Sequence, residues 1–273
     1  MLESAADTRG TVARVVDLMR ALAEAGRDVG VSELAKRLGL PVSTVHRLLK
    51  LLIEQGMAEK ARDRRRYRAG LELFRVGALV ANQRHRAEEI EGVLRRVREE
   101  CGEACLYCLY LPASHKVMAV SRVDGPIPLH YSYDLFQPMS LMWGATGRSI
   151  LAFLPEAEVA ELIGKPEPSP ASGAPLPPAS RLRAELAEVR DRGYAITQGQ
   201  KINEAVGIAA PVFTDGCTPI SSLCVIVPKY RFQWKMEPKI ASILVREAAK
   251  LSEQSGCTSG PPGSRPRYGR RAA

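Results

Sequence analysis

The sequence predicts an α+β fold in two domains: a small helical module with a short hairpin, then a larger domain in which one antiparallel sheet carries flanking helices. Three observations predict it. Residues 31–56, VSELAKRLGLPVSTVHRLLKLLIEQG, read as two short helices around a tight turn. From residue 104 the apolar pattern changes from helical spacing to strand-like runs, ACLYCLYLP, KVMAVSRV, VGIAAPVF and ISSLCVIVP. The charge divides in the same way: residues 1–86 hold 17 Lys/Arg against 10 Asp/Glu, residues 87–257 hold 18 against 20, and residues 258–273 hold four arginines and no acid. A basic end joined to a nearly neutral middle implies a nucleic-acid module attached to an ordinary domain.

Taken in order, residues 1–10 read as disordered and residues 11–70 as the DNA-binding domain. Its first helix, Thr11 to Gly26, is expected to bury the stripe Val12, Val15, Val16, Met19, Leu22 and Ala23. Ser32 is expected to cap the second helix, because its hydroxyl can accept an orphan N–H of the first turn. Gly39 stops that helix by adopting the left-handed conformation. Pro41 opens the third, where a missing N–H costs nothing. Val45, Leu48, Leu49 and Leu52 then face inward, which leaves Ser43, Thr44, His46, Arg47 and Lys50 outside. Short hydroxyls in an exposed first turn, followed by cations, suit a helix lying in the DNA major groove. The stretch MAEKARDRRRYRAG predicts two short strands with Arg62, Arg64, Arg65 and Arg66 near the turn. Next to a helix-turn-helix this is a wing, whose arginines reach phosphates or a minor groove. The candidate DNA contacts are therefore Ser32, Pro41, Ser43, Thr44, His46, Arg47, Lys50 and these four arginines.

Residues 71–86 read as a linker helix, with Leu71, Leu73, Phe74, Val76, Leu79 and Val80 along it. An apolar face leaving a small module needs a partner, and a second copy of the chain is the simplest one. A further helical stretch carries Ile90, Val93, Leu94 and Val97, with the polar Gln83–Glu91 stretch between them as a hinge. The domain at 87–255 then holds two strands around a turn at Ala113–Lys116 and a short strand at 126–133. Helices follow from Gly144 to Leu154 and from Glu156 to Ile163, and six prolines make residues 166–178 a loop. A helix through Leu182, Leu186 and Val189 ends at Gly193, a strand lies near Tyr194–Thr197, two apolar strands follow, and a helix covers 238–255. Residues 256–273 read as a disordered basic tail.

Several classes of function are excluded or disfavoured. No run of about 18 apolar residues offers a membrane span. An apolar leader is absent, so a cytoplasmic location with reduced thiols is expected. Cys105 and Cys108 fall on opposite faces of a strand, and no second CxxC pair exists, so neither metal nor cofactor is expected. His46, His85, His115 and His130 are scattered, and there is no nucleophile elbow, P-loop or dinucleotide glycine motif. The rival classes are an enzyme or a purely oligomerising scaffold built on the middle domain.

The motifs LPVSTVHRLLKLLIEQG, YRAGLELFRVGALV, WGATGRSILAFLP and VRDRGYAITQG followed by AVGIAAPVF, in that order, resemble the IclR-type bacterial transcriptional regulators over residues 10–255. The resemblance implies a winged helix-turn-helix, a linker helix and a GAF-like effector domain. It implies a homodimer or dimer of dimers on near-palindromic double-stranded DNA, no enzymatic activity, and control by a small organic or aromatic acid. Carried over, the effector pocket falls on Trp143, Gly144, Ala145, Thr146, Thr197, Gly207, Cys224 and Ile226, with Leu129 and Tyr131 counted beside them. The family's acidic run after RGYA is TQGQ here, and its usual cysteine and two serines are Gly207, Cys224 and Ile226. These departures make the pocket less polar and favour a larger, partly apolar or aromatic ligand over a two-carbon acid.

Overall fold

The computed structural model describes residues 10–63, 65–83, 86–125 and 134–257. The chain separates into two compact units, one ending at Ala87 and the other beginning at Glu88.

The first unit opens with α1 (Thr11–Ala25), followed by β1 (Val29–Gly30), α2 (Val31–Leu38) and α3 (Val42–Glu54). Then come β2 (Ala58–Lys60), β3 (Arg66–Ala69) and α4 (Leu71–Gln83). Half of the expected stripe of α1 faces the core, namely Val15, Met19 and Leu22, but the buried face is shifted to take in Leu18 and Ala21. Val12 and Val16 are exposed, whereas Leu18, Ala21 and Leu22 are buried. The helix is apolar on both sides, and packing against α2 and α3 chooses between them. Ser32 is not the cap of α2: the helix starts at Val31, Gly30 occupies the cap position, and no side chain caps it. The reason is β1, a strand of two residues that pairs Val29 with Tyr67 and Gly30 with Arg66 and so fixes where the helix begins. At the other end Gly39 is left-handed at φ 66°, and the Leu40 N–H returns to the Ala35 carbonyl at 3.0 Å. Pro41 is the cap of α3 rather than its first residue, and its carbonyl accepts the Val45 N–H. The expected inward set is buried: Val45, Leu48, Leu49 and Leu52. They meet Leu18, Leu22, Leu34 and Tyr67 in one core.

The second unit holds α5 (Arg86–Cys101) from residue 88 onward, then β4 (Ala104–Leu111), β5 (Lys116–Val123) and β6 (Pro138–Ser140). Three helices follow: α6 (Gly144–Leu151), α7 (Glu156–Ile163) and α8 (Ala179–Arg192). The unit closes with β7 (Ala195–Gln198), β8 (Ala205–Phe213), β9 (Pro219–Pro228) and α9 (Glu237–Gln254). The six strands form one antiparallel sheet in the order β6-β5-β4-β9-β8-β7. Both faces are covered, so its central strands are apolar on both sides. One face carries Leu106, Cys108, Ala209, Cys224 and Ile226 beneath α6, α7 and α8. The other carries Cys105, Tyr107, Ile208, Leu223 and Val225 beneath α5 and α9. Cys105 and Cys108 thus face opposite layers, as the strand period requires. The short strand expected at 126–133 lies outside the described residues, while β6 was not foreseen. The chain remains packed as far as Cys257, which is buried. No helix among the described residues is long and apolar enough to cross a membrane.

Candidate DNA interface and effector cavity

The two candidate sites lie in different units. On α3, burying Val45, Leu48, Leu49 and Leu52 turns Ser43, His46, Arg47 and Lys50 to solvent, with Thr44 half-buried between them. Pro41 is also exposed, and so is Ser32 on α2. Among the described residues Arg47, Lys50, Arg62 and Arg65 have no ion-pair partner, whereas Arg20, Arg27, Arg37 and Arg68 each hold an acid. The wing turn is organised by Asp63, whose carboxylate accepts the Arg65 and Arg66 backbone N–H groups, both at 3.1 Å. Arg62 and Arg65 project from it, both exposed. Arg66 is more engaged: it donates to the Asp28 carbonyl at 3.3 Å and lies 3.7 Å from Asp63, tying the wing to the segment before β1. Arg64 lies outside the described residues. His46 stands edge-on to Tyr67, with ring centres 6.2 Å apart.

In the second unit, the strand register sets Thr197 beside Gly207 and Gly207 beside Ile226, a row across β7, β8 and β9. Cys224 lies two residues along β9 and points to the same side. The N-terminus of α6 stands above this row. A Cβ on Gly207 would sit 3.3 Å from the Ala145 Cβ, so the missing side chain is what lets helix and sheet approach. Gly144, left-handed at φ 80°, leaves room in the same way for the Lys201 stem. The result is a cavity of about 30 Å³, lined by Gly144, Ala145, Thr146, Thr197, Gln200, Lys201, Ile202, Ala205, Gly207, Cys224 and Ile226. A water molecule needs roughly 10–15 Å³ of such space, so there is room for about two.

Seven of the eight positions carried over by resemblance line this cavity. Trp143 does not: it is buried, and its indole N–H donates to the Glu167 carbonyl at 2.9 Å. Leu129 and Tyr131 lie outside the described residues. Sequence reasoning missed Gln200, Lys201, Ile202 and Ala205. Gln200 accepts the Gly144 N–H through its side-chain oxygen at 3.2 Å. Lys201 reaches Thr146, with its Nζ 3.4 Å from Oγ1. Burial pulls the Lys201 ammonium down to about 8, against the opposing effect of the Cys108 and Cys224 thiols and with a smaller push from the charge of Lys116. Burial likewise pushes the Cys108 thiol up to about 12 and the Cys224 thiol well above its ordinary value, so both stay protonated. Among the described residues no cluster of three His, Cys, Asp or Glu side chains could hold a metal ion.

Comparison with known proteins joins the two sites. The sequence model described as "IclR helix-turn-helix domain" matches residues 11–62. The one described as "Bacterial transcriptional regulator IclR C-terminal" matches residues 79–253. The transcriptional repressor IclR of Escherichia coli is 23% identical over 242 residues, which cover 89% of this chain and 88% of that protein. A crystal structure of an IclR transcriptional regulator from Silicibacter sp. TM1040 superposes with a TM-score of 0.83 at 25% identity, covering 93% of this chain and 99% of the other. An IclR homologue from Microbacterium hydrocarbonoxydans, solved with 4-hydroxybenzoate, superposes with a TM-score of 0.70 at 23% identity, over 89% of this chain and 98% of that one.

Proposed function

Because the chain belongs to the IclR family of bacterial transcriptional regulators, we propose that α3 reads an operator while the cavity under α6 binds the molecule that controls it. Proteins of this family are DNA-binding regulators and not enzymes. In this reading residues 11–70 form the DNA module, 71–86 the linker helix and 87–255 the sensor. The observation that carries it is the edge of α3: Ser43, Arg47 and Lys50 are all exposed, and neither cation is neutralised within the described protein. Ser43, Thr44 and Arg47 are assigned to base edges, and Lys50, Arg62 and Arg65 to phosphates. Selection from random duplexes should enrich a repeated half-site, and failure to enrich any sequence would remove the reading. On the selected duplex, replacing Arg62 and Arg65 together by alanine should lower the slope of log affinity against log salt. Each lost phosphate contact removes about 0.9 from it. An unchanged slope would take the wing off the backbone.

Self-association is part of the proposal. Leu71 and Phe74 are each 75% exposed on α4, and Leu79 and Val80 also face out. Such an apolar strip is poorly suited to water, and a second copy would cover it and bring two α3 helices to two half-sites. Phe74→Glu is therefore expected to shift sedimentation toward the monomer. A variant that sediments like the parent would put the contact elsewhere.

For the effector, the lining supports a compact organic acid with an apolar body. Thr146, Thr197, Gln200 and Lys201 are its polar groups, and Ala145, Ile202, Ala205 and Ile226 its apolar walls. The 4-hydroxybenzoate held by the M. hydrocarbonoxydans protein is an aromatic acid of this chemical class.

A further inference from the structure

We infer that Lys201 makes the cavity selective for anions: its ammonium pairs with the carboxylate of the effector, so the neutral isostere of the same ligand is rejected. The inference rests on reading this cavity as the effector site.

Among the described residues no carboxylate lies within ion-pair distance of Lys201, and its one polar contact is the long, neutral one to Thr146. The nearby acid, Glu167, is engaged elsewhere: its carboxylate accepts from Lys116 Nζ at 2.6 Å. The groups that face Lys201 from the sheet are Cys108 on β4, Cys224 on β9 and Lys116 on β5. Two are thiols held neutral by burial and the third is another cation. The remaining neighbour is the first turn of α6, the positive end of a helix. Among the described residues no carboxylate therefore stands against this ammonium, and the only groups that favour its charge are the two buried thiols, whose effect is outweighed by burial. A partly desolvated cation in such a place gains most from a charge-assisted hydrogen bond to an anion. A neutral amide of the same shape would leave that charge uncompensated.

The pairing is also linked to protons. The ligand-free ammonium loses its proton near pH 8, and a bound carboxylate favours the protonated form. Carboxylate affinity should thus hold below that pH and fall about tenfold for each unit above it.

The test uses the full-length protein and matched pairs of probes: formate, acetate and benzoate against formamide, acetamide and benzamide. Binding is followed by thermal shift and by calorimetry at pH 7 and pH 9. At least one carboxylate is expected to raise Tm at pH 7 and to bind about tenfold more weakly at pH 9, with its amide silent. Lys201→Met should abolish the carboxylate effect and Lys201→Arg should retain it. The wild-type pH profile carries the test on its own if the methionine variant does not fold. An amide that stabilises as well as its acid, with no dependence on pH, would overturn the role of Lys201 and leave the effector reading standing. If neither acids nor amides stabilise, both readings fall together.

Discussion

Arg47→Ala is expected to weaken binding to a selected operator duplex by about tenfold to a hundredfold per half-site, the ~1–3 kcal/mol of one good base contact. The same variant should bind random duplex almost as well as the parent. Val45, Leu48, Leu49 and Leu52 fix the rotation of α3, and that rotation turns Arg47 to solvent with no internal partner among the described residues. A side chain in that position is available for a guanine edge, where a guanidinium donates two parallel hydrogen bonds. Phosphate contacts lose affinity on every sequence alike, whereas base contacts lose it only on the right one. Fluorescence anisotropy with the two duplexes separates the cases. Equal loss on both would demote Arg47 to a backbone contact.

Gly147→Ala is expected to destabilise the second unit by about 3 kcal/mol, at the upper end of what overpacking costs. A Cβ there would lie 2.4 Å from the Leu141 carbonyl oxygen and 2.7 Å from its carbon, and neither backbone atom can rotate away. Helix α6 would have to lift from the segment that precedes it, carrying with it the Gly144–Thr146 wall of the cavity. Gly92→Ala on α5 is the control. Its Cβ would meet nothing nearer than the end of the Arg96 side chain at 3.7 Å. The helix-propensity gain of about 1 kcal/mol should then appear as stabilisation. Denaturant titration of both variants decides the matter: equal midpoints for the two would mean that α6 does not depend on this approach.

The DNA module was legible because its period and its punctuation agree. Four apolar positions on α3 fall at helical spacing, and Gly39 can only be a stop. The failures there come from contacts distant in sequence. A strand of two residues, Val29–Gly30, carries no period of its own and exists because β3 is there to pair with it. It displaced the expected cap at Ser32. On α1, either of two apolar stripes fits a helix, and only packing exposes Val12 and buries Leu18. In the second unit, strand order could not be read from period, but the types and places of most strands and helices could. The cavity was accessible through family motifs on regular elements, Gly144–Thr146, Thr197, Gly207, Cys224 and Ile226. Gln200, Lys201 and Ile202 were not, because they sit on an irregular loop where no spacing indicates direction. A lysine in a polar TQGQK stretch reads as solvated, and only the folded chain turns it toward two thiols.

The two-sided sheet has a consequence for how a sensed molecule can be felt. Strand β4 sends Leu106 and Cys108 into the layer beneath α6, α7 and α8, and Cys105 and Tyr107 the other way. On that far side the Cys105 thiol donates to the Leu94 carbonyl of α5 at 3.0 Å. The partition between the α6 layer and α5 is thus one backbone thick. On the proposed effector reading, a change in strand twist would reach α5 without a relay of side chains, and substitutions at Val93 or Val97 should alter the response while touching neither ligand nor DNA.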